Sequence, residues 1–358
     1  MPNALPIGII SLGGAGRAHL RRFAANPKAD VVAVFDPIDS VLRIVLADSR
    51  VDSIKLATND LAEFLSFPGM SAVSICSPDY CHGEHALAAL KHGLHVLIEK
   101  PMATTFSECQ EIMEAADNYG KKVTVHHQMR FVPTFSKAKE LVENNRIGTV
   151  FALEADYFHD VRKRAVKFDS WRLNPDTHQN IVFGGACHPI DLIQWIAGDE
   201  IVEVFAYANH LAFDAWPDVD TVIGLLKFRG GVLGKVTKSI GCRRPTHIPL
   251  LVLGTDGAIV NGLILGEHGA NGMSHRAPAT GWRRFIGRLL ENRKSIRSYP
   301  FEHYEHELAC RELVDRFLDS IIKDGPVPIP LIDSASTIAV CEAIVKSYQT
   351  GQPITVNR

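Results

Sequence analysis

The sequence predicts an α/β protein: a doubly wound parallel sheet, followed by an α+β unit built on a large, open-faced mixed or antiparallel sheet. Three observations carry this. Short apolar runs alternate with helical stretches over the first third of the chain. A glycine-rich turn, Ser11-Leu12-Gly13-Gly14-Ala15-Gly16, joins the first run to the first helical stretch. Beyond about residue 126, strand-like runs follow one another without helices between them.

The first run is Ile7–Ser11, and the helical stretch after the turn reaches about Asn26. Val31–Phe35, Ser53–Ala57, Ala72–Cys76 and His95–Ile98 are further runs, with His82–His92 helical before the last of them. Phe106–Tyr119 reads as a helix and Lys122–His126 closes the series. Continuously apolar strands indicate a parallel sheet covered on both faces. The later runs are Val150–Phe158, Val202–Phe213, Thr221–Phe228, Val232–Ile240 and Pro249–Leu253, and helices return at His303–Lys323 and Asp333–Gln349. Gly262–Gly281, rich in Gly, Ala and Ser, reads as a mobile loop. The expected division is a dinucleotide-binding unit over 1–125 and a substrate and oligomerisation unit over 126–358.

Composition narrows the function. The chain has 358 residues, 46% hydrophobic and 22% charged, with a net charge of −2. No global field draws it to nucleic acid or an acidic membrane, and no apolar run is long enough to span a bilayer. Cysteines 76, 81, 109, 187, 242, 310 and 341 are scattered without a C-x-x-C pair. That argues against a disulfide framework or zinc ribbon and for a reducing cytoplasm. The N-terminus lacks the basic and apolar regions of a signal peptide, so a cytoplasmic location is expected. His159 and His178 do not have the spacing of a metal site, and no metal is expected. The basic stretch Arg283–Arg297 reads as a surface helix or an oligomer contact.

The glycine turn has the order a dinucleotide needs. Gly13, with Gly14 and Ala15 after it, lets the backbone approach a pyrophosphate, and Gly16 lets helix and strand pack closely. The helix N-terminus offers free N–H groups and a partial positive charge. Asp36 lies about twenty residues beyond Gly16, the spacing for binding ribose hydroxyls. A carboxylate there repels a 2′-phosphate, which favours NAD over NADP. The first glycine of the usual pattern is Ser11 here. No Gly-Lys-Ser/Thr follows, so a Walker phosphate loop is excluded.

Glu99-Lys100-Pro101 ends the fifth apolar run, at the carboxyl edge where such sheets bind ligands. An ionisable amine beside a dinucleotide points to redox chemistry on an alcohol or ketone. Partial desolvation of such a lysine lowers its pKa and permits proton exchange at neutral pH. The ordinary alternative is a surface lysine at a strand end.

At these positions the chain resembles the Gfo/Idh/MocA oxidoreductases. The matching stretches are Ile9–His19, Ser77-Pro78 with His82, His92–Pro101, Arg130-Phe131-Val132-Pro133, Ile147-Gly148, and Gly184-Gly185 with His188-Pro189-Ile190-Asp191. The resemblance implies a Rossmann domain, an open-faced sheet domain, and NAD(P)-dependent chemistry on sugars, inositols or related polyols. It implies cofactor contacts at Ser11, Gly13, Gly14, Ala15, Gly16, Asp36, Ser77, Pro78, His82, Glu99 and Lys100. Lys100 and His188 are implied in proton transfer, with Glu99 orienting Lys100 or the ribose. Substrate contacts are implied at Lys100, Arg130, Trp171, Arg172, His188 and Asp191. A homodimer or homotetramer paired through the open sheet follows, as does a cis bond between Lys100 and Pro101.

Many family members carry an aspartate four residues before this histidine; here it is Gly184. Lys100 and His188 therefore stand without their usual carboxylate, and Asp191 is the nearest acid in sequence. The segment Arg162–Arg172 is basic and contains Trp171, which suits an anionic sugar such as a uronate or sulfonate. A solvated charged face explains it equally well. Three functions remain in view: an NAD-dependent carbohydrate or polyol dehydrogenase, a glycosidase that oxidises and re-reduces a sugar with bound NAD, and a non-catalytic NAD-binding regulator.

Overall fold

The structure is a computed structural model that describes residues 4–47, 53–162, 171–261, 263–266 and 303–358. The first sheet contains β1 (Leu5–Ile10), β2 (Ala29–Phe35), β3 (Leu56–Thr58), β4 (Ala72–Ile75), β5 (His95–Ile98) and β6 (Val123–Val125). Every pairing is parallel, in the order β3-β2-β1-β4-β5-β6. Ile7, Ile9 and Ile10 of β1 are all fully buried, as a strand covered on both faces requires. The order reverses between β1 and β4, and their carboxyl ends open the crevice in which this architecture binds ligands.

One face of this sheet is covered by α1 (Gly14–Ala24) and α2 (Asp39–Leu46), the other by α4 (His82–Lys91) and α5 (Phe106–Tyr119), with the short α3 (Leu61–Leu65) beside them. The last two helices, α8 (His303–Ile322) and α9 (Leu331–Thr350), return to it. Leu313, Val314, Phe317 and Leu318 of α8 join the α1 side, and Ala335 and Ile338 of α9 join the α5 side. The two ends of the chain are thereby interlocked.

The second sheet has eight strands: β7 (Val150–Phe158), β8 (Ile201–Asn209), β9 (Thr221–Phe228), β10 (Leu233–Ser239), β11 (Leu250–Gly254), β12 (Gly257–Val260), β13 (Leu263–Gly266) and β14 (Ile354–Thr355). β7 and β10 run parallel and the other pairs antiparallel, so the sheet is mixed. Its inner face packs on α6 (Pro133–Glu143), α7 (Cys187–Ala197) and α9. The outer face leaves Phe151, Tyr207, Ile223, Leu225 and Leu233 exposed.

Three differences from the sequence reading have local causes. Within the expected loop Gly262–Gly281, Leu263–Gly266 is a strand paired with Gly257–Val260; residues 262 and 267–281 lie outside the described residues. The run Val202–Phe213 ends as a strand at Asn209, where Asp220 accepts hydrogen bonds from the backbone N–H groups of Ala212 and Phe213 and turns the chain. α6 forms over a stretch for which the sequence predicts no element, with Pro133 in its first turn, where a missing N–H costs nothing. The basic stretch Arg283–Arg297 lies outside the described residues. Among the described residues no helix is long and apolar enough to cross a membrane.

Candidate active site

The β1–α1 turn is built around two close approaches. Ser11 sits at φ 71°, the left-handed region that glycine favours, while its N–H bonds the Phe35 carbonyl at 2.7 Å. A Cβ on Gly16 would overlap the Ser11 carbonyl oxygen, so only glycine fits there. Gly13 caps α1 without a side-chain hydrogen bond and no acidic residue occupies the first turn. The first N–H groups of α1 therefore keep their donor capacity for an anion. Asp36 is buried at the end of β2 and accepts the Leu12 N–H at 2.7 Å and the Ile38 N–H at 3.0 Å. One lone pair on each oxygen remains for a ribose hydroxyl. An uncapped helix N-terminus, a turn with no room for a Cβ, and a carboxylate at the next strand end fit NAD.

The β4 end contributes Ser77, Pro78 and His82. The His82 ring lies between the Pro101 carbonyl, 2.7 Å from Nδ1, and the Ser77 carbonyl, 3.0 Å from Nε2. It ties the β4 turn to the segment carrying Lys100. The Lys100–Pro101 bond is cis, as expected.

Glu99 and Lys100 leave β5 toward different partners. Glu99 Oε1 lies 2.9 Å from His19 Nε2 and 3.3 Å from His126 Nδ1, and Oε2 accepts the Lys100 N–H at 3.2 Å. Burial opposes ionisation of Glu99, but the two histidines and Lys100 hold it well below the usual carboxylate range. Burial likewise opposes a charge on His19, but Cys76 and Glu99 outweigh it and push its pKa up to about 10. His126, equally buried, is held neutral. His19, Glu99 and His126 are residue types that bind metals, and their atoms lie within 4.8 Å of one another. Both His19 nitrogens are already engaged, by Ser74 Oγ at 2.8 Å and by Glu99.

The Lys100 amine donates to the Gly184 carbonyl at 3.0 Å. Gly184 belongs to a π turn over Val182–Ala186 that runs into α7, and His188 stands in the first turn of that helix. His188 is buried and held neutral, first by burial and then by the charge of Lys100. Its Nδ1 has no hydrogen-bond partner among the described residues. Its ring meets Tyr157 edge-on, with centroids 5.5 Å apart.

The space beside Gly184 is occupied. A Cβ there would overlap the side chain of Gln179. Gln179 donates to Asp79 at 2.8 Å and accepts from Arg172 Nε at 3.0 Å. Arg172 lies over the Trp171 ring at 4.4 Å, and Trp171 meets Tyr80 edge-on. Trp171 and Arg172 thus reach the wall formed by the β4 turn. Residues 163–170 of the basic segment lie outside the described residues.

Arg130 and Asp191, both expected at the substrate, pair with each other. Arg130 donates to both Asp191 oxygens, at 2.6 and 3.0 Å, and to Asp333 at 2.7 Å. Asp191 is 1% exposed, and the Arg130 guanidinium also lies 5.7 Å from the Trp195 ring centre. This buried pair joins the segment after β6 to α7 and α9.

One residue beside the site went unread in the sequence. Lys238 on β10 is 2% exposed, and its Nζ lies 3.8 Å from the Tyr157 ring centre with no hydrogen-bond partner among the described residues. Burial, and then the charge of Lys100, push its pKa down to about 7. The available signal was its phase: Gly234, Val236 and Lys238 alternate along one strand, and the first two are buried.

The comparisons agree with this geometry. Residues 5–127 match the description "Oxidoreductase family, NAD-binding Rossmann fold", and residues 139–356 match "Oxidoreductase family, C-terminal alpha/beta domain". An inositol 2-dehydrogenase of Saccharopolyspora erythraea is 31% identical over 98% of this chain and 95% of its own. A 1-carboxy-3-chloro-3,4-dihydroxycyclohexa-1,5-diene dehydrogenase of Comamonas testosteroni is 32% identical over 65% of this chain, which spans little more than half, 57%, of that protein. The crystal structure of a myo-inositol 2-dehydrogenase from Lactobacillus plantarum shares the fold, with a TM-score of 0.81 and 19% identity over 99% of this chain and all of that one. With both halves of the chain matched, the protein belongs to the Gfo/Idh/MocA oxidoreductase family, with its NAD-binding Rossmann fold.

Proposed function

We propose that this protein is an NAD-dependent dehydrogenase that oxidises a hydroxyl of a carbohydrate or polyol, with Lys100 and His188 managing the proton. The observation that carries the reading is the Lys100 amine, held 3.0 Å from the Gly184 carbonyl at the turn that presents His188. Relatives named for inositols and for a carboxylated cyclic diol support the substrate class.

The cofactor, when bound, supplies the hydride acceptor. The free N–H groups of α1 hold its pyrophosphate and Asp36 holds ribose hydroxyls, favouring NAD over NADP. The β4 turn with Ser77 and Pro78, fixed by His82, and Glu99 at the end of β5 complete its walls. Lys100 hydrogen-bonds the reacting oxygen and, as the neutral amine, takes its proton to become the ammonium. His188, neutral with an open nitrogen, is a second acceptor. Glu99, kept ionised by His19, fixes the backbone of Lys100. The Arg130–Asp191 pair positions α7 rather than touching substrate, and Trp171 and Arg172 form the outer wall.

The test is a panel of sugars and polyols with NAD, followed by nicotinamide absorbance and by product analysis. Net NADH with a ketone product is expected. Lys100→Ala should keep NAD affinity and lose roughly 10²–10⁴ in turnover; near-normal turnover removes Lys100 from the mechanism. The missing carboxylate at Gly184 favours a second reading, an NAD-dependent glycosidase, whose signature is aglycone release without net NADH. A chain on which no carbohydrate alters bound cofactor or product is a regulator instead.

The exposed apolar outer face of the second sheet supports pairing into a homodimer or homotetramer. Light scattering tests it; a monomer across a wide concentration range contradicts it.

A further inference from the structure

We infer that Lys238 is a specificity-determining residue that binds an anionic group on the substrate, so that the site takes a hydroxylated carboxylate in preference to a neutral polyol. The inference rests on the dehydrogenase reading and names the substrate class of that same site.

The position is built for a lysine. The side chain crosses the π turn directly over Gly185, where a Cβ would overlap Cε. Its amine ends against Tyr157, which faces His188 edge-on. Tyr157 is the register partner of Lys238 on the adjacent parallel strand. The lysine thus comes from the same end of the second sheet as the residue that contacts His188, and it feels the charge of Lys100.

The carboxylates of this region are otherwise engaged. Glu99 pairs with His19 and His126, Asp191 is bonded by Arg130 through both oxygens, and Asp79 accepts from Gln179. At 184, where the family aspartate would stand, there is none. Glu99 serves Lys100 and its two histidines, whereas the Lys238 amine has no hydrogen-bonded carboxylate among the described residues. An ammonium buried without a hydrogen-bonded partner is costly, and the cation–π contact with Tyr157 offsets only part of that cost. A carboxylate on the substrate supplies both the charge and the hydrogen bond that Nζ lacks. A neutral polyol supplies only a weaker hydrogen bond.

The test compares matched pairs of acid and neutral probe on the NAD-loaded protein: quinate with myo-inositol, and D-glucuronate with D-glucose. Binding is read by calorimetry and turnover by NADH formation, in the wild type and in Lys238→Met. Methionine keeps length and apolar packing, so the variant is expected to fold with an unchanged or higher unfolding midpoint. The wild type should bind an acid more tightly than its neutral partner. Lys238→Met should weaken acid binding and raise the acid KM by roughly 10- to 100-fold, the worth of one charge-assisted hydrogen bond, with kcat and the neutral probes little changed. A preference for acids in the wild type that Lys238→Met abolishes supports the proposal, whether or not the bound acid is oxidised. Acid binding without NADH formation counts against the dehydrogenase reading alone. Equal binding of acid and neutral probes, no binding of either acid, or a preference that survives Lys238→Met overturns the proposal.

Discussion

Gln179 fills the space into which a side chain at Gly184 would project. Where the family resemblance implies an acid, the space holds an amide bonded to Asp79 on one side and Arg172 on the other.

Restoring the acid alone should therefore fail. Gly184→Asp forces Gln179 out of its place, an overpacking cost of about 1–3 kcal/mol, and breaks its two hydrogen bonds. The single variant should unfold at a lower temperature and turn over more slowly. Adding Gln179→Ala should recover most of the unfolding midpoint. Equal midpoints for Gly184→Asp and wild type would show that the amide yields freely.

Asp36 holds the turn through the Leu12 and Ile38 N–H groups, and the proposed function also gives it the ribose hydroxyls. Asp36→Ala strands the buried N–H of Leu12, frees the more exposed N–H of Ile38 and should weaken NADH binding by roughly 10- to 100-fold, the worth of a hydrogen bond to a charged group. NADPH should lose less, so the preference between them narrows. Fluorescence titration with both nucleotides decides this, and tighter NADPH binding by the wild type rejects the assignment.

Ser11 adopts φ 71° with a side chain. The left-handed region costs an L-residue roughly 1–2 kcal/mol, against about 0.5–1 kcal/mol for the freedom glycine loses on folding. Ser11→Gly should thus raise the urea midpoint modestly without changing the slope. A lower midpoint would mean that the serine hydroxyl contributes more than its backbone costs.

His19 makes stability depend on pH with a defined sign. Its pKa in the folded chain is pushed up to about 10, above the ordinary histidine value of about 6.5. A raised histidine contributes fully below about pH 6.5 and loses that contribution as pH rises toward 10. The stability gap between wild type and His19→Gln should be wider at pH 6 than at pH 9. Urea titrations of both proteins at the two pH values measure it; a gap that widens with pH places the proton elsewhere.

The parts of the site legible in the sequence are those whose geometry is local. A strand, a tight turn and a helix N-terminus are specified within Leu5–Ala24, and the acidic strand end follows within one β-unit. Glu99-Lys100-Pro101 is legible because a strand end is a fixed address in a parallel sheet. The resemblance implies substrate contacts at Arg130 and Asp191, while their mutual pairing, 61 residues apart, leaves no trace in spacing.

By itself the sequence determined the layering, the parallel and mixed sheets, the dinucleotide turn and the strand-end lysine, since hydrophobic period and turn chemistry act over a few residues. The tertiary structure decided who pairs with whom. It brought Gln179 over Gly184, laid Lys238 across Gly185 against Tyr157, and folded α8 and α9 back onto the first sheet. The physical reason is that the charge state and partner of a buried group depend on what lies within a few ångströms of it. Only the folded chain sets those neighbours.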